Sequence, residues 1–394
     1  MTLTTLGEKD KLNDKLAVAA IKLATNESAI GKRIVVFVRK PDDARAIAET
    51  IRKHESAKNK LGIYADCVEV LTGTMRGLER DELVEKPVFK DRWLNGDLDP
   101  SNESNQTPVF LISTSAGEVG FDLNADHMVC DAAPLDSMIQ RLGRVNRRGQ
   151  GNATIHLILA KEPADKSEID KACIAASKLF TEDMGVSPKE LAGFKSTLCA
   201  DTLKAVSTPE PTMVELTDIL LDTWSMTSIT VPMPGRPEVA PWLRGIADDL
   251  PQTTISWRAE LDVPGFDQLD LEEVEDWLDT HRVLTHETLS VPSSTAARWF
   301  TDRWSNFTDA QQSEVGARSV VVDRAGLKRI IVKDLIDQLS RKTGDNTSAI
   351  RNADLILPAS FGGIERHKGL LDADAPSAAA ATLKLREGCR SGCR

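Results

Sequence analysis

Between residues 31 and 160 the chain alternates short apolar, β-branched runs with stretches of helical period, and that alternation admits few folds. IVVFV, residues 34–38, is too short for a helix and reads as a strand buried on both faces, as in a parallel sheet. Pro41 and two aspartates then open a helix over DDARAIAETIRKH. Strands at 67–73, 108–114, 127–132 and 153–160, and helices over LERDELVEK and DSMIQRLGRVNR, continue the pattern. The expectation is an α/β domain with a mainly parallel sheet flanked by helices. WLNGDLDPSNESNQ, residues 93–106, reads as a polar surface loop.

Outside this stretch the texture differs. Leu12, Leu16, Ala19, Ala20 and Leu23 recur at helical spacing before Gly31. Residues 164–206 read as polar helices, and 231–242 as a proline-rich loop. A strand at 255–261, an acidic helix over DLEEVEDWLDTHR and a strand–turn–strand at 318–332 predict a mixed α+β accessory domain. The boundaries expected are 1–30, 31–165, 166–371 and a linker or frayed tail at 372–394.

Charge sorts with these boundaries. The net charge of -11 argues against a polybasic nucleic-acid coat. It is concentrated after residue 160, however, and residues 31–160 are nearly neutral, with 18 basic and 19 acidic side chains. The six cysteines form no C-x-x-C pair and read as free thiols of a reducing compartment. No apolar run approaches the roughly 20 residues of a membrane span, and the polar N-terminus lacks a signal peptide's apolar centre, so a cytoplasmic protein is expected.

Two segments carry chemistry. STSAGEVGFDLNAD follows a buried strand, where ligand sites of parallel sheets lie. Ser113, Thr114 and the backbone around Gly117 and Gly120 suit phosphate oxygens, and Asp122 suits a sugar hydroxyl. QRLGRVNRRG places Gln140, Arg144 and Arg147 near one helical surface, with Gly143 leaving room for a ligand. Clustered guanidinium groups suit phosphate.

Taken together, the two segments resemble motifs V and VI of the second RecA-like domain of superfamily 2 helicases. VVFVRKP stands in the place of motif IV and LTGTMRGLER in that of the nucleic-acid-contacting stretch after it. The resemblance implies that Arg144 and Arg147 reach an ATP γ-phosphate, with Gln140 near the nucleotide. It implies nucleotide contacts at Gly120 and Asp122, with Glu118 coupling nucleotide to nucleic acid. Thr72, Gly73, Arg80, Ser113 and Thr114 correspond to positions along a single-stranded DNA backbone. LTGTMRGLERDELVEKPVFKDRW and PWLRGIADDLPQTTISWRAEL are further similar to the type I CRISPR-associated helicase whose HD nuclease follows the motor. The partners implied are a first RecA-like motor domain, an HD nuclease and a CRISPR RNA-guided surveillance complex, with ATP and Mg2+ as cofactors.

Two family signatures are missing from the sequence. Gly31-Lys32 is followed by Arg33, so no G-x-x-x-x-G-K-[ST] loop exists, and Asp81-Glu82 falls inside a predicted helix. None of the six histidines precedes an aspartate, and no metal site is expected in this chain. Residues 1–30 are expected to be the tail of, or linker from, a missing first domain, and the terminal REGCRSGCR a clipped or frameshifted end. The chain alone is expected to lack ATPase activity. A catalytically inactive nucleic-acid-binding or docking subunit, and a different superfamily 2 DNA or RNA helicase, are the competing readings. Six tryptophans after residue 220 read mainly as core packing, with base stacking as the alternative.

Overall fold

The computed structural model describes residues 1–7, 10–25, 31–54, 67–94, 107–119, 122–149, 151–160, 167–182, 184–213, 215–229, 236, 239, 242, 250–323, 326–341, 346–365 and 369–375. Gly120, most of the proline-rich loop, His367 and the tail from 376 lie outside them.

The first unit contains β1 (Thr2–Thr5), α1 (Leu12–Thr25), β2 (Arg33–Phe37), α2 (Pro41–Lys53), β3 (Val68–Leu71), α3 (Gly77–Glu85), β4 (Val109–Ser113), β5 (His127–Asp131), α4 (Leu135–Leu142) and β6 (Ile155–Leu159). Its six strands run in the order β1-β6-β5-β2-β4-β3, and every pairing is parallel. β2 and β4 are buried along their whole length, as strands covered by helices on both faces must be. This is the expected RecA-like, mainly parallel sheet flanked by helices.

Three expectations about its limits need correction. Residues 1–30 are not only a helix or linker: β1 extends the sheet by pairing Thr2–Thr5 with His156–Leu159. α1 buries Leu16, Ala17, Ala20 and Ile21 in the same core as the strands. Nor does that core stop at 165. It takes in Ala176, Phe180, Leu191 and Val206, from the helical layer formed by α5 (Glu168–Ser177), α6 (Pro188–Thr197) and α7 (Ala200–Val206). Trp93, placed in a surface loop by its polar neighbours, is fully buried at the end of a π-helical turn, Lys90–Leu94. One indole outweighs the polarity of the following residues.

After α8 (Asp218–Ser225) comes the second unit. It holds β7 (Gln252–Arg258), α9 (Leu271–Thr280), β8 (Leu289–Pro292), α10 (Ser293–Ser305), α11 (Asp309–Gly316), β9 (Ser319–Asp323), β10 (Leu327–Ile331), α12 (Val332–Leu339) and β11 (Ala353–Pro358). A mixed five-stranded sheet, β10-β9-β11-β7-β8, confirms the α+β expectation. Trp257 and Trp299 are buried there, their ring centroids 6.1 Å apart, and donate their Nε1 hydrogens to the carbonyls of Gly362 and Gly363. Trp304 packs edge-on to Phe307, which also belongs to this core. A final ribbon, β12 (Ile364–Glu365) with β13 (Leu370–Leu371), returns to the first unit. Arg45 reaches Glu365 at 3.3 Å and Asp372 at 2.6 Å, and the Arg76 amide donates to the Gly369 carbonyl at 2.8 Å.

Candidate functional site

Because all six strands are parallel, their carboxyl ends share one edge, and the segments leaving β2, β3, β4 and β5 converge there. The turn after β4 is tight. A Cβ on Gly117 would lie 2.5 Å from Ser113 Oγ and 3.3 Å from the Phe37 ring, so only glycine allows this approach. Ser113 itself is fully buried, and its hydroxyl donates to the carbonyls of Leu71 and Thr114. It stitches β3 to β4 and is closed to a ligand, against the expectation of a backbone contact. Thr114 is 4% exposed and its amide donates to the Leu71 carbonyl at 3.1 Å. Thr72 is 2% exposed and stands 3.4 Å from the Thr74 hydroxyl, while Gly73 is exposed, with nothing within 4 Å of where a Cβ would stand. Arg80 is exposed on α3 beside Asp81.

The arginine-rich segment is helical only at its start. α4 stops at Leu142, so Arg144 and Arg147 sit on a turn and not on the helical surface shared with the exposed Gln140. The turn is held against residues 124–125. The Ala125 amide donates to the Arg144 carbonyl at 2.8 Å, the Asn146 amide to the Ala125 carbonyl at 2.7 Å, and the Arg147 amide to Asn124 Oδ1 at 2.9 Å. Asn146 takes φ +45°, a left-handed conformation that asparagine tolerates better than most residues.

Arg144 donates from Nε (3.0 Å) and Nη2 (2.6 Å) to the backbone carbonyl of Glu118. Burial and the charge of Arg147 hold its guanidinium below its ordinary range. Arg147 pairs with Asp122 in the open, the two side chains being 47% and 81% exposed. The structure thus brings Glu118, Asp122, Arg144 and Arg147 into one patch. The Glu118 side chain is not free for coupling: it is buried and accepts from Arg141 Nε at 2.7 Å.

Residues 30–150 match the family described as CRISPR-associated nuclease/helicase Cas3, C-terminal. This stretch, similar to a Cas3-type C-terminal helicase domain, holds β2 to β5 of the parallel sheet and both motifs at its edge. A CRISPR-associated nuclease/helicase Cas3 of Myxococcus xanthus is 41% identical over 104 residues, which are 26% of this chain and 14% of that protein. The ATP-dependent DNA helicase mph1 of Aspergillus fumigatus is 26% identical over 176 residues, 42% of this chain and 14% of that one. Among solved structures, T. fusca Cas3-AMPPNP is similar, with TM-score 0.44 and 11% identity over 91% of this chain and 39% of that chain. A CRISPR-associated protein structure gives TM-score 0.45 and 15% identity over 94% and 40%. The chain therefore spans about a seventh of the curated relatives and two fifths of these structures.

One residue of this domain escaped sequence reasoning. Arg141 is 2% exposed, bound to Glu118 and to Asp131 Oδ1 at 2.9 Å, with its guanidinium 5.4 Å from the centre of the Phe37 ring. Its signal was positional: 141 continues the buried stripe of Leu135, Met138 and Leu142 on α4.

Proposed function

We propose that this chain supplies the second motor domain, with its accessory domain, of an ATP-dependent DNA helicase or translocase of type I CRISPR interference. The observation that carries the reading is the pair of neighbouring cations: among the described residues, the Arg144 side chain is held by a carbonyl and that of Arg147 by an exposed carboxylate that water screens. A nucleotide phosphate approaching this patch replaces a weak partner instead of breaking a buried one. Gln140, Asp122 and Gly120 line the nucleotide side in this reading, and Thr72, Gly73 and Thr114 the single-stranded DNA.

ATP suits the patch because, among the described residues, two guanidinium groups lie together without a buried counter-ion. When bound with Mg2+ it supplies the phosphoryl group that is transferred to water. The chain's own part is to present Arg144 and Arg147 to charge that develops on that group. Among the described residues no three His, Cys, Asp or Glu side chains are placed to hold a metal ion. In this reading Mg2+ is held by the nucleotide and a first motor domain. The described residues also contain no helix long and apolar enough to cross a membrane. An HD nuclease and a guide-RNA surveillance complex are partners of the same proposal.

The test is ATPase activity of the chain mixed with a separately expressed first motor domain, with and without single-stranded DNA. The chain alone is expected to be silent, and the mixture active and DNA-stimulated. Arg147→Ala should lower the mixture's turnover by about 10³-fold. Turnover by the chain alone, abolished by Arg144→Ala, would refute the assignment.

A further inference from the structure

A line of alternating charges crosses the carboxyl edge of the sheet and ends at the candidate phosphate arginine. It starts on α5, where Asp170 accepts from Arg39 Nη1 at 2.8 Å. Arg39 follows β2; its amide donates to Asp131 Oδ2 at 3.1 Å, and its Nε lies 3.8 Å from the same atom. Asp131, at the end of β5, accepts from Arg141 Nη1 at 2.9 Å, and Arg141 Nε donates to Glu118 Oε1 at 2.7 Å. The Glu118 carbonyl then accepts both bonds from Arg144.

The inner members are almost dry, with Asp131, Arg141 and Glu118 side chains 7%, 2% and 4% exposed. A buried charge cluster of this kind is a poor source of stability, because desolvation offsets most of the attraction. What it does impose is one arrangement: each group is unsatisfied anywhere else. Burial alone would lower Arg141, but the charges of Asp131 and Glu118 outweigh it and raise the group, keeping it firmly cationic. Glu118 is the pivot. Its side chain is fixed by Arg141, its carbonyl fixes Arg144, and on its other side Gly117 is pressed against Ser113 with no room even for a methyl group.

We propose that Arg141 is a positioning residue for Arg144, and that the Arg39–Asp170 pair extends the same line to helix α5, so that a shift of this helical layer is felt at the phosphate-facing arginine. The inference rests on the reading of Arg144 as phosphate-facing. It differs from that reading in its residues, none of which would touch nucleotide.

Two measurements on the full chain test it. Without nucleotide, hydrogen exchange follows the hydrogen-bonded amides of Glu118, Ala125, Val145 and Asn146 in wild type, Arg141→Gln and Asp170→Asn. With a first motor domain added, kcat and KM for ATP are measured for the same proteins, with Arg147→Ala as the control on the underlying reading. Arg141→Gln should speed exchange at these amides by about tenfold and lower kcat by about 10- to 100-fold, with KM within about twofold. Asp170→Asn should move both readouts the same way by about two- to fivefold. Exchange in strands β7 and β11 should not change in either variant. If Arg141→Gln fails to fold, Glu118→Gln, which keeps the side chain's shape, should give the same pattern.

Unchanged exchange at Glu118, Ala125, Val145 and Asn146 in Arg141→Gln would overturn the positioning role, whatever the activity. An unaltered kcat beside a strongly impaired Arg147→Ala would overturn it while leaving the phosphate reading intact. Full activity in Arg147→Ala would remove that reading and the proposal with it. A silent Asp170→Asn would cut the link to α5.

Discussion

The two sheets hold most of their bonded arginines with different partners. In the first unit Arg33, Arg76 and Arg141 each meet a carboxylate: Asp126 at 2.9 Å, Glu79 at 2.7 Å and Glu118 at 2.7 Å. In the second, Arg303 donates to the carbonyls of Phe361 and Ala373, and Arg329 to those of Phe266 and Leu269. The indole hydrogens of Trp257 and Trp299 likewise end on carbonyls. Two buried arginines depart from this division: Arg258 bonds both the Arg282 carbonyl and Glu287, and Arg92 of the first unit donates to the carbonyls of Gly31 and Thr107. A carbonyl partner fixes a loop to a scaffold and leaves no second charge behind. Charge-to-charge pairing holds several mobile segments in one setting and makes that setting depend on every member. The first pattern suits a brace, the second an edge that must hold a site.

The contrast can be broken by mutation. The largest effect is expected for Trp299→Ala, which removes the centre of the aromatic cluster formed with Trp257, Phe300 and Phe361. It should cost about 3–5 kcal/mol in urea unfolding of the second unit. Arg141→Met should cost a similar or slightly smaller amount, about 3–5 kcal/mol, because Glu118 and Asp131 stay buried without their cation. Adding Glu118→Gln and Asp131→Asn to Arg141→Met should restore much of that loss; no recovery would mean that the charges are not the reason. Gly77→Ala probes the seam between the units. The new Cβ would come within 2.7 Å of His286 Cα, so one backbone must move, and a loss of about 1–3 kcal/mol is expected.

Smaller effects follow from titration and exposure. Burial lowers the pKa of His127, whose Nδ1 also accepts from the Thr154 amide and must be unprotonated to do so. A histidine held neutral in the fold adds stability above its unfolded pKa, about 6.5, and that contribution is lost as pH falls from there toward the depressed folded value. Melting curves between pH 7.5 and 5 should therefore show a steeper decline in wild type than in His127→Gln. At the low end of the scale, Arg147→Ala and Asp122→Asn should each change stability by less than about 0.5 kcal/mol, since their pair is exposed. A large loss in either would erase the distinction between the exposed arginine and the buried one six residues earlier.

Much of the fold was legible because burial leaves a period. Apolar runs such as Ile34–Val36 and Phe110–Ile112 have room for nothing but strands covered on both faces, and α2 and α9 carry their apolar residues at helical spacing. Composition and spacing picked out residues that lie together, though not their partners: Asp122 meets Arg147, and Arg144 returns to the backbone of Glu118. The stereochemistry of the candidate site was not legible. Ser113 and Thr114 are neighbours with interchangeable hydroxyls, both buried, and only the pleat and the β3–β4 pairing decide that Ser113 is the one whose hydroxyl bonds across the strands. Gln140 and Arg141 are likewise consecutive, and the rotation of α4 exposes one and buries the other.

By itself, the sequence determined the alternation that makes a parallel sheet and the two motifs that sit at its edge, since both are written in residues close along the chain. Tertiary structure alone decided that TLTT at residues 2–5 is a strand. It has no apolar stripe, and its partner, His156–Leu159, lies about 150 residues away, offering an edge of unpaired amides and carbonyls. The same holds for the helices after residue 167 that complete the first core, and for Arg141, whose meaning comes from carboxylates 10 and 23 positions earlier. Local periodicity records which face of an element is buried. Which distant group it is buried against, and so which charge is a tool and which a tether, is a property of the assembled edge.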